Sequence, residues 1–242
     1  MDSLPQELID TIIDGLPLST LLSSSLAAKR WRRRSQQRAF GSIKFLSEAQ
    51  VNRWCTDVPQ DPEGIISYIH VVRFQDIFFW DDPATFGRAL ENLSSLTKLW
   101  MVGVTIPNGL PGQLSRRQVG KRITILCLWY PCSTLATIVS LVLSLPNLEA
   151  LSIVGAGAES EEPLSSHPVT SQTAPLRLLD LRGNIGGIGK ALAESRFVSR
   201  CLSLDVQILG VEQLIAVSSE TAVNLALYGV LILRFFMERE RW

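Results

Sequence analysis

A short apolar signature recurs along most of the chain and constrains the fold more than any other feature. In each copy, an apolar residue is followed three positions later by a second and two positions after that by a third. The complete copies are Ile69–Val72–Phe74, Leu96–Leu99–Met101, Ile123–Leu126–Leu128, Leu148–Leu151–Ile153 and Leu176–Leu179–Leu181. Weaker copies follow at Leu202–Leu204 and Leu225–Leu227. The central residues are spaced 27, 27, 25, 28, 23 and 23 apart, a period typical of stacked units that bury their apolar side chains only against neighbours.

Amphipathic segments separate the copies, at 83–93, 133–148, 188–197 and 211–219. Each has apolar residues at three- and four-residue spacing, which predicts a helix. Short parallel strands alternating with helices make the predicted fold class α/β. The junctions LSLPNLEALSI (143–153) and LSSLTKLWM (93–101) resemble those of leucine-rich repeats in F-box proteins, which implies a solenoid. The asparagine usual after a repeat strand occurs at Asn184 and is missing from the other copies. The repeats are therefore irregular. An ordinary α/β domain is the alternative.

If each copy is a strand, the side chains between its buried positions face the opposite, concave side of the sheet. Arginines and aromatics are frequent anchors of protein interfaces. The candidate substrate-binding residues on that side are Arg73, Lys98, Trp100, Trp129, Asp180, Arg182, Asp205 and Tyr228.

The stretch Leu4 to Phe40 contains two apolar helical runs and one strongly basic run. Pro5 suits a first helical turn, and Leu8, Ile12 and Leu16 belong to one helical face. Pro17 ends that helix, and Ser19 is the expected N-cap of the next. Three helices this short have more apolar surface than they can bury among themselves, which predicts a protein partner. A plain three-helix cap is the alternative.

This stretch resembles the F-box family, without insertions or deletions, over about a sixth of the chain. The residues that carry the resemblance are Leu4, Pro5, Glu7, Leu8, Ile12, Leu16, Leu21, Leu26, Lys29, Arg30 and Trp31; Ala27 departs from the larger aliphatic residue usual there. The resemblance implies binding to a Skp-family adaptor and, through it, to a cullin. On the same basis the adaptor-binding residues are Leu4, Pro5, Leu8, Ile12, Leu16, Leu21, Leu26 and Trp31.

The expected organisation is an F-box at 1–45, a polar linker at 46–67 and a leucine-rich-repeat-like domain at 68–242. The last copy lies close to Trp242, so either the short charged tail caps the array or the array is incomplete at its C-terminus. Residues 155–175 and 108–121 are expected to form loops between units. The basic run from Lys29 to Arg34 is expected to be a solvated helix face with Trp31 packed inside, a nuclear localisation signal being the alternative.

Composition excludes several other classes of protein. The formal net charge is zero, so no basic field points to nucleic acid. The four cysteines have no zinc-type spacing and are expected to be free, buried thiols in the cytoplasm or nucleus. Residues 123–147 contain no charged side chain and are long enough to span a membrane, but Pro131 divides them into a predicted strand and helix. No membrane, metal or cofactor is expected.

One motif resembles a nucleotide-binding site. Gly183, Gly187 and Gly189 have the glycine spacing of short-chain dehydrogenases, and Asp205 ends the next predicted strand. The family's Tyr-x-x-x-Lys is missing, since Ile232 follows Tyr228 at the lysine position. The chain is therefore predicted not to be an enzyme. Its expected role is the substrate-recognition subunit of a Skp-cullin-F-box ubiquitin ligase, with an unknown protein substrate. The alternatives are a ligase-independent scaffold and, less favoured, a truncated NAD(P)-dependent oxidoreductase.

Overall fold

The structure is a computed structural model that describes residues 4–57, 64–80, 82–155, 176–183, 187–188, 191–192, 201–205, 215 and 224–228. For 201–205 and 224–228 it describes the backbone only. The predictions made for Asn184, Gly189, the segment 156–175 and most of the helical candidates at 188–197 and 211–219 lie outside the described residues.

Three helices form the N-terminal part, as the sequence predicts: α1 (Gln6–Gly15), α2 (Leu18–Ala27) and α3 (Lys29–Phe40). Proline precedes both α1 and α2 and presets an extended approach to the first turn. Pro17, rather than the predicted Ser19, is the N-cap of α2, and it forms no side-chain capping bond. A small core made by Ile9, Ile13 and Leu21 holds the three helices together.

The rest of the described chain alternates strands with helices. The strands are β1 (Ser42–Phe45), β2 (Val71–Gln75), β3 (Lys98–Val102), β4 (Ile125–Trp129), β5 (Ala150–Val154), β6 (Leu178–Arg182), β7 (Cys201–Asp205) and β8 (Asn224–Tyr228). The helices are α4 (Glu48–Asp57), α5 (Pro83–Glu91), α6 (Leu110–Arg116), α7 (Gln118–Arg122) and α8 (Leu135–Leu143), with a 3₁₀ turn at Ile65–Tyr68. All eight strands pair in parallel, and their order in the sheet is their order in the chain. The predicted α/β class and all seven predicted strands are confirmed.

The recurring signature is the core of the sheet. Val72, Leu99, Leu126, Leu151 and Leu179 occupy one register column and are completely buried. The third signature positions form a second buried column, two residues further along each strand. Helices α5 to α8 cover these columns. Since strand side chains alternate, the other face of the sheet carries the intervening residues, which are mostly half-buried or exposed. We call it the open face.

The same backbone features recur at the end of each strand. Asp76, Gly103, Tyr130, Gly155 and Gly183 directly follow β2 to β6, and all have positive φ between 51° and 75°. The N–H of each of the first four donates to the carbonyl of the last residue of the next strand, at 2.7–2.8 Å. At the beginning of the strands, His70, Thr97, Thr124 and Glu149 each accept two N–H groups from the next unit. Each unit is thus hydrogen-bonded to its neighbour at both ends of the strand.

Strand β1 was not predicted from the sequence. Its residues Ile43 and Phe45 continue the two core columns, and Ile43 pairs in register with Val72. Phe40, Ile43 and Phe45 do follow the recurring apolar signature. The F-box expected at 1–45 includes this segment, so it is not among the predicted strands.

Two segments expected to be irregular are helical. The interval 46–67, predicted to be a linker, contains α4, and Val51 of that helix is part of the main core. Ser47 and Gln50 mark its beginning, because the Gln50 N–H donates to Ser47 Oγ at 3.3 Å while Gln50 Oε1 accepts the Leu46 N–H at 2.8 Å, which is a variant of the capping box. The basic loop predicted at 108–121 is mostly α6 and α7. Leu110, Leu114 and Val119 anchor these two helices in the core.

The uncharged segment 123–147 consists of β4, a turn and the nine-residue α8. Within the part of the chain that the structure describes, no helix is both long enough and apolar enough to cross a bilayer.

Candidate functional site: two interaction surfaces

The first surface is formed by aliphatic side chains on α1 and α2 that the small N-terminal core leaves exposed. Leu8 and Ile12 lie one turn apart on α1. Leu18, Leu22 and Leu26 lie at successive four-residue intervals on α2, and Leu26 is 80% exposed. Large aliphatic side chains exposed on two short helices are candidates for contact with a protein partner. Leu4 and these five residues are called the N-terminal apolar surface.

The structure separates the predicted adaptor-binding residues into two groups. Leu4, Pro5, Leu8, Ile12 and Leu26 are exposed, and a partner could contact them directly. Leu16 and Trp31 are half-buried and pack against the small core, so their main contacts are internal.

Leu21 has no exposed area and belongs to that core. Its contacts in this structure are internal, and its role as an adaptor contact stays a prediction. Sequence reasoning missed Leu18 and Leu22, although their spacing of four residues from one another and from Leu26 was a usable signal.

Arginines spaced four residues apart on α3 hold α1 in place. Arg30 Nη2 donates to the Leu4 carbonyl at 2.9 Å, and Arg38 Nη1 donates to the carbonyls of Ile13 and Leu16 at the end of α1. Arg34 forms a bidentate pair with Asp14, with Nε–Oδ1 and Nη2–Oδ2 distances of 2.8 and 2.6 Å. Arg30 is exposed, as expected for a solvated helix face, and Arg34 is half-buried; both also bond to the chain around α1.

The Arg34–Asp14 pair also shifts the ionisation of both side chains. The hydrogen bond from the Arg34 guanidinium lowers the pKa of Asp14 below its ordinary value, and the same bond raises the pKa of Arg34. Both groups consequently remain charged at neutral pH, and the pair fixes the orientation of α1 relative to α3.

The second surface is the open face of the sheet, where three predicted residues meet. Arg73 on β2 places its guanidinium carbon 5.8 Å from the ring centroid of Trp100 on β3, a distance within reach of a cation–π interaction. The centroid of Trp129 on β4 is 5.1 Å from that of Trp100, and the rings are tilted by 59°. Arg73 and Trp100 are opposite each other in the register. A cation and two indoles thus form one continuous cluster over three strands.

Polar atoms in and beside this cluster lack partners. Arg73 Nε, Gln75 Oε1, Trp100 Nε1 and Trp129 Nε1 are all shielded from solvent and make no hydrogen bond within the described chain. Leaving such a group unsatisfied costs about 1–3 kcal/mol. Several of them together on one face are unusual in a protein interior.

Asp180 and Arg182 on β6 form a separate group. Arg182 Nε donates to Asp180 Oδ1 at 2.8 Å, and Ser152 Oγ on β5 donates to Asp180 Oδ2 at 3.1 Å. Because β6 lies two strands from β4, this group is about 10 Å from the Trp129 strand. The structure therefore divides the predicted concave residues into an Arg–Trp cluster and a neutralised Asp–Arg pair.

The remaining predicted residues of this face are only partly placed. Lys98 is exposed on β3, two residues before Trp100, and lies diagonally opposite Arg73. Asp205 and Tyr228 are paired in the backbone register of β7 and β8; their side chains lie outside the described set.

Sequence reasoning did not single out the thiol at the centre of the open face. Cys127 lies between Trp100 and Ser152 in the register and is almost completely buried. Burial raises its pKa to about 11, so it is a neutral thiol at physiological pH. Of the other described cysteines, Cys55 is half-buried and Cys132 is exposed. All three are free, as predicted, but the expected burial is wrong for Cys132.

A cleft of about 590 Å³ lies at the carboxyl edge of the sheet, between the loops that follow β3 and β4. Half of its lining residues carry a hydroxyl group, among them Tyr130, Ser133, Thr134 and Thr137. Ser133 Oγ already accepts the Ile106 N–H at 2.7 Å, and Thr134 Oγ1 caps α8. These hydroxyls thus serve the local structure, and no reactive constellation is formed by them.

The first glycine of the dehydrogenase-like motif occupies the turn position that directly follows a strand. Gly183 has a φ of 75° directly after β6, the conformation that Gly103 and Gly155 adopt after β3 and β5. Its conformation is thus explained by the turn that every strand of the series makes. Within the described ranges, no group of three or more His, Cys, Asp or Glu side chains could hold a metal ion.

The fold and these surfaces define an α/β protein with an all-parallel, sequentially ordered sheet and two candidate protein-binding surfaces. No protein-family model matches the chain, and no curated protein matches its sequence.

Proposed function

We propose that the chain is the substrate-recognition subunit of a Skp-cullin-F-box ubiquitin ligase. The N-terminal helices would bind a Skp-family adaptor, and the sheet, as an irregular leucine-rich-repeat arc, would hold a protein substrate. The observation that carries the proposal is the N-terminal apolar surface, where α1 and α2 expose five aliphatic side chains, with Leu4 just before α1, in the region that resembles the F-box.

The recurring backbone geometry supports the repeat part of the proposal. Each strand from β2 to β6 ends in a positive-φ residue, and each unit is bonded to the next in the same way. A solenoid requires this kind of nearest-neighbour stacking. Under the proposal, the open face is the concave substrate-binding side.

The mechanism proposed is tethering. Holding an adaptor on the N-terminal helices and a substrate on the open face raises the effective concentration of substrate near the ubiquitin-transfer machinery. The chain itself would catalyse no covalent step and need no cofactor. Such a function would place it in the cytoplasm or nucleus.

Strand order argues against the oxidoreductase alternative. A doubly wound dinucleotide-binding sheet has a reversal of strand order, and the nucleotide binds at that switch point. The eight described strands follow one another without any reversal. The part of the sheet that the structure describes therefore has no switch point at which this cofactor would bind.

The direct test is co-purification of the full chain with a Skp-family adaptor. Leu22→Asp combined with Leu26→Asp should abolish the complex, because both side chains are exposed on the N-terminal apolar surface. Phe79→Asp is the matched control, since Phe79 is 87% exposed on the loop after β2 and should leave the complex intact. Circular dichroism checks that each variant is folded.

Failure of the wild-type chain to bind the adaptor would contradict the proposal. Adaptor binding without recruitment of a cullin would instead support the ligase-independent scaffold. Leu16→Asp is a poorer probe of adaptor binding than the exposed pair, because Leu16 packs against the small core and its replacement would also destabilise the helices.

A further inference from the structure

Three unpaired cations lie on the first three strands of the open face. Lys44 on β1 is opposite Arg73 on β2 in the register, and Lys98 on β3 lies diagonally across from Arg73. None of the three forms an ion pair with any residue in the described part of the chain. Like charges on neighbouring strands repel one another, so this part of the face attracts anions.

The carboxylate of Asp180 does not neutralise these cations. It is on β6 and already bonded to Arg182 and Ser152. The open face therefore has a cationic half at β1 to β3 and a neutralised part at β5 and β6. The two indoles of Trp100 and Trp129 lie directly beside the cations.

The unpartnered polar atoms coincide with the cationic half. Arg73 Nε and the two indole N–H groups are donors without acceptors, and Gln75 Oε1 is an acceptor without a donor. An extended peptide offers carbonyl and carboxylate acceptors together with N–H donors. Each of these atoms is shielded from solvent, so a ligand reaches it only when a covering side chain moves.

We propose that Lys44, Arg73, Lys98, Trp100 and Trp129, here called the cationic–aromatic patch, bind an extended acidic segment of a protein partner. Aspartate or glutamate carboxylates of the segment pair with the three cations, and an apolar side chain packs against the two indoles. This inference rests on the proposed function, since the partner would be the substrate that the open face receives.

The charge pattern favours an acidic protein segment over nucleic acid. Nucleic-acid affinity grows with the number of phosphates neutralised, and typical sites use roughly 6–10 cations. The patch offers three, and the net charge of the whole chain is zero. Charged pairs at a partly shielded, aromatic-lined surface give a protein ligand both orientation and specificity.

The experiment measures fluorescence anisotropy of labelled probes with the purified full chain. The probes are a fluorescein-labelled peptide of repeated Glu-Ser-Leu triplets, the same peptide with lysine in place of glutamate, and a labelled oligothymidylate. The acidic peptide should bind saturably and should change the tryptophan fluorescence. The lysine peptide and the oligothymidylate should bind at least about tenfold more weakly.

Charge reversal locates the site. Arg73→Glu combined with Lys98→Glu should weaken binding of the acidic peptide more than about tenfold and improve binding of the lysine peptide. The matched control is Arg116→Glu with Lys121→Glu, because both residues are exposed on α6 and α7, away from the patch. The control should stay within about twofold of wild type. Arg73→Gln with Lys98→Gln gives a milder substitution if the reversal prevents folding.

Equal binding to wild type and to the Arg73/Lys98 variants would overturn the inference. A preference for the lysine peptide or the oligothymidylate, or no saturable binding of the acidic peptide, would do so as well. Adaptor binding is measured on the same preparations. Retained adaptor binding without peptide binding refutes this inference alone, whereas peptide binding without adaptor binding refutes the proposed ligase role alone.

Discussion

Replacing Gly155 by alanine tests whether the turn after β5 requires a residue without a side chain. Gly155 follows β5 with a φ of 63°, and Tyr130, which follows β4, packs its ring against it. A Cβ at position 155 would lie 2.5 Å from Tyr130 Cδ1, closer than any real carbon contact. The substitution therefore imposes both backbone strain and a steric clash.

The expected loss of stability is the sum of these two effects. A left-handed conformation costs an alanine roughly 1–2 kcal/mol relative to glycine. Relieving the clash requires the Tyr130 ring to move. Because that ring is 60% exposed, it can move outward, and we assign this step about 1 kcal/mol, the lower end of the range for overpacking. Gly155→Ala should thus lower the free energy of unfolding by about 2–3 kcal/mol.

Gly183→Ala is the matched control. Gly183 has a similar φ of 75°, but the nearest atoms to an added Cβ are backbone atoms of Gly155 at 3.4 Å, an ordinary contact. Only the cost of the left-handed backbone conformation applies, so the free energy of unfolding of this variant should fall by about 1–2 kcal/mol. Urea unfolding followed by circular dichroism measures both free energies.

The difference between the two variants is the refutable quantity. Gly155→Ala should be about 1 kcal/mol less stable than Gly183→Ala. In a Tyr130→Ala background, the excess should vanish, since the clashing ring is gone. Equal losses of unfolding free energy for the two variants in the wild-type background would contradict a clash with the Tyr130 ring. An extra loss for Gly155→Ala that persists in the Tyr130→Ala background would contradict it as well.

Four further outcomes are expected. Leu99→Ala should lower the free energy of unfolding by about 2–5 kcal/mol, because Leu99 is fully buried, while Phe79→Ala at an exposed loop should change it by less than about 0.5 kcal/mol; urea unfolding compares them. Iodoacetamide at neutral pH should label Cys132 much faster than Cys127, as peptide mapping can show, since Cys127 is buried and its pKa is raised to about 11. The stability that the neutral Cys127 thiol contributes is present below its ordinary pKa of 9.0 and should be lost as pH rises through 11, a slope that Cys127→Ala removes. The pKa of Asp14 is lowered, so its ion pair contributes stability above the ordinary value of 3.8 that is lost as pH falls below it; acid unfolding of Asp14→Asn should lack this component.

Much of the sheet could be predicted from the sequence because its core repeats. The strand of each complete copy buries two alternate residues, and a further buried residue lies three positions before the first of them. This spacing is the same in every complete copy. Ile69, Leu96, Ile123 and Leu148 were therefore enough to locate successive units. The period of the N-terminal helices was equally visible, since Ile9 and Ile13 recur at helical spacing and form their core.

The limits of sequence reasoning appear where a residue type is compatible with two environments. Leu21 and Leu22 are adjacent and chemically identical, yet the first is fully buried and the second is exposed. Only the packing of α2 against its neighbours decides which face of the helix is inside. Strand β1 shows the same ambiguity, because Phe40, Ile43 and Phe45 suit the end of a helix as well as a strand.

The sequence by itself determined the positions of seven of the eight described strands, the α/β class and the three N-terminal helices, because each depends on periodicities within one element. Tertiary structure alone decided which cations remain unpaired, which leucines face solvent, and that Arg73, Trp100 and Trp129 form one cluster while Asp180 and Arg182 form another. The physical reason is register. Side chains more than twenty residues apart become neighbours only when parallel strands align, and no periodicity within a single strand specifies what lies beside it.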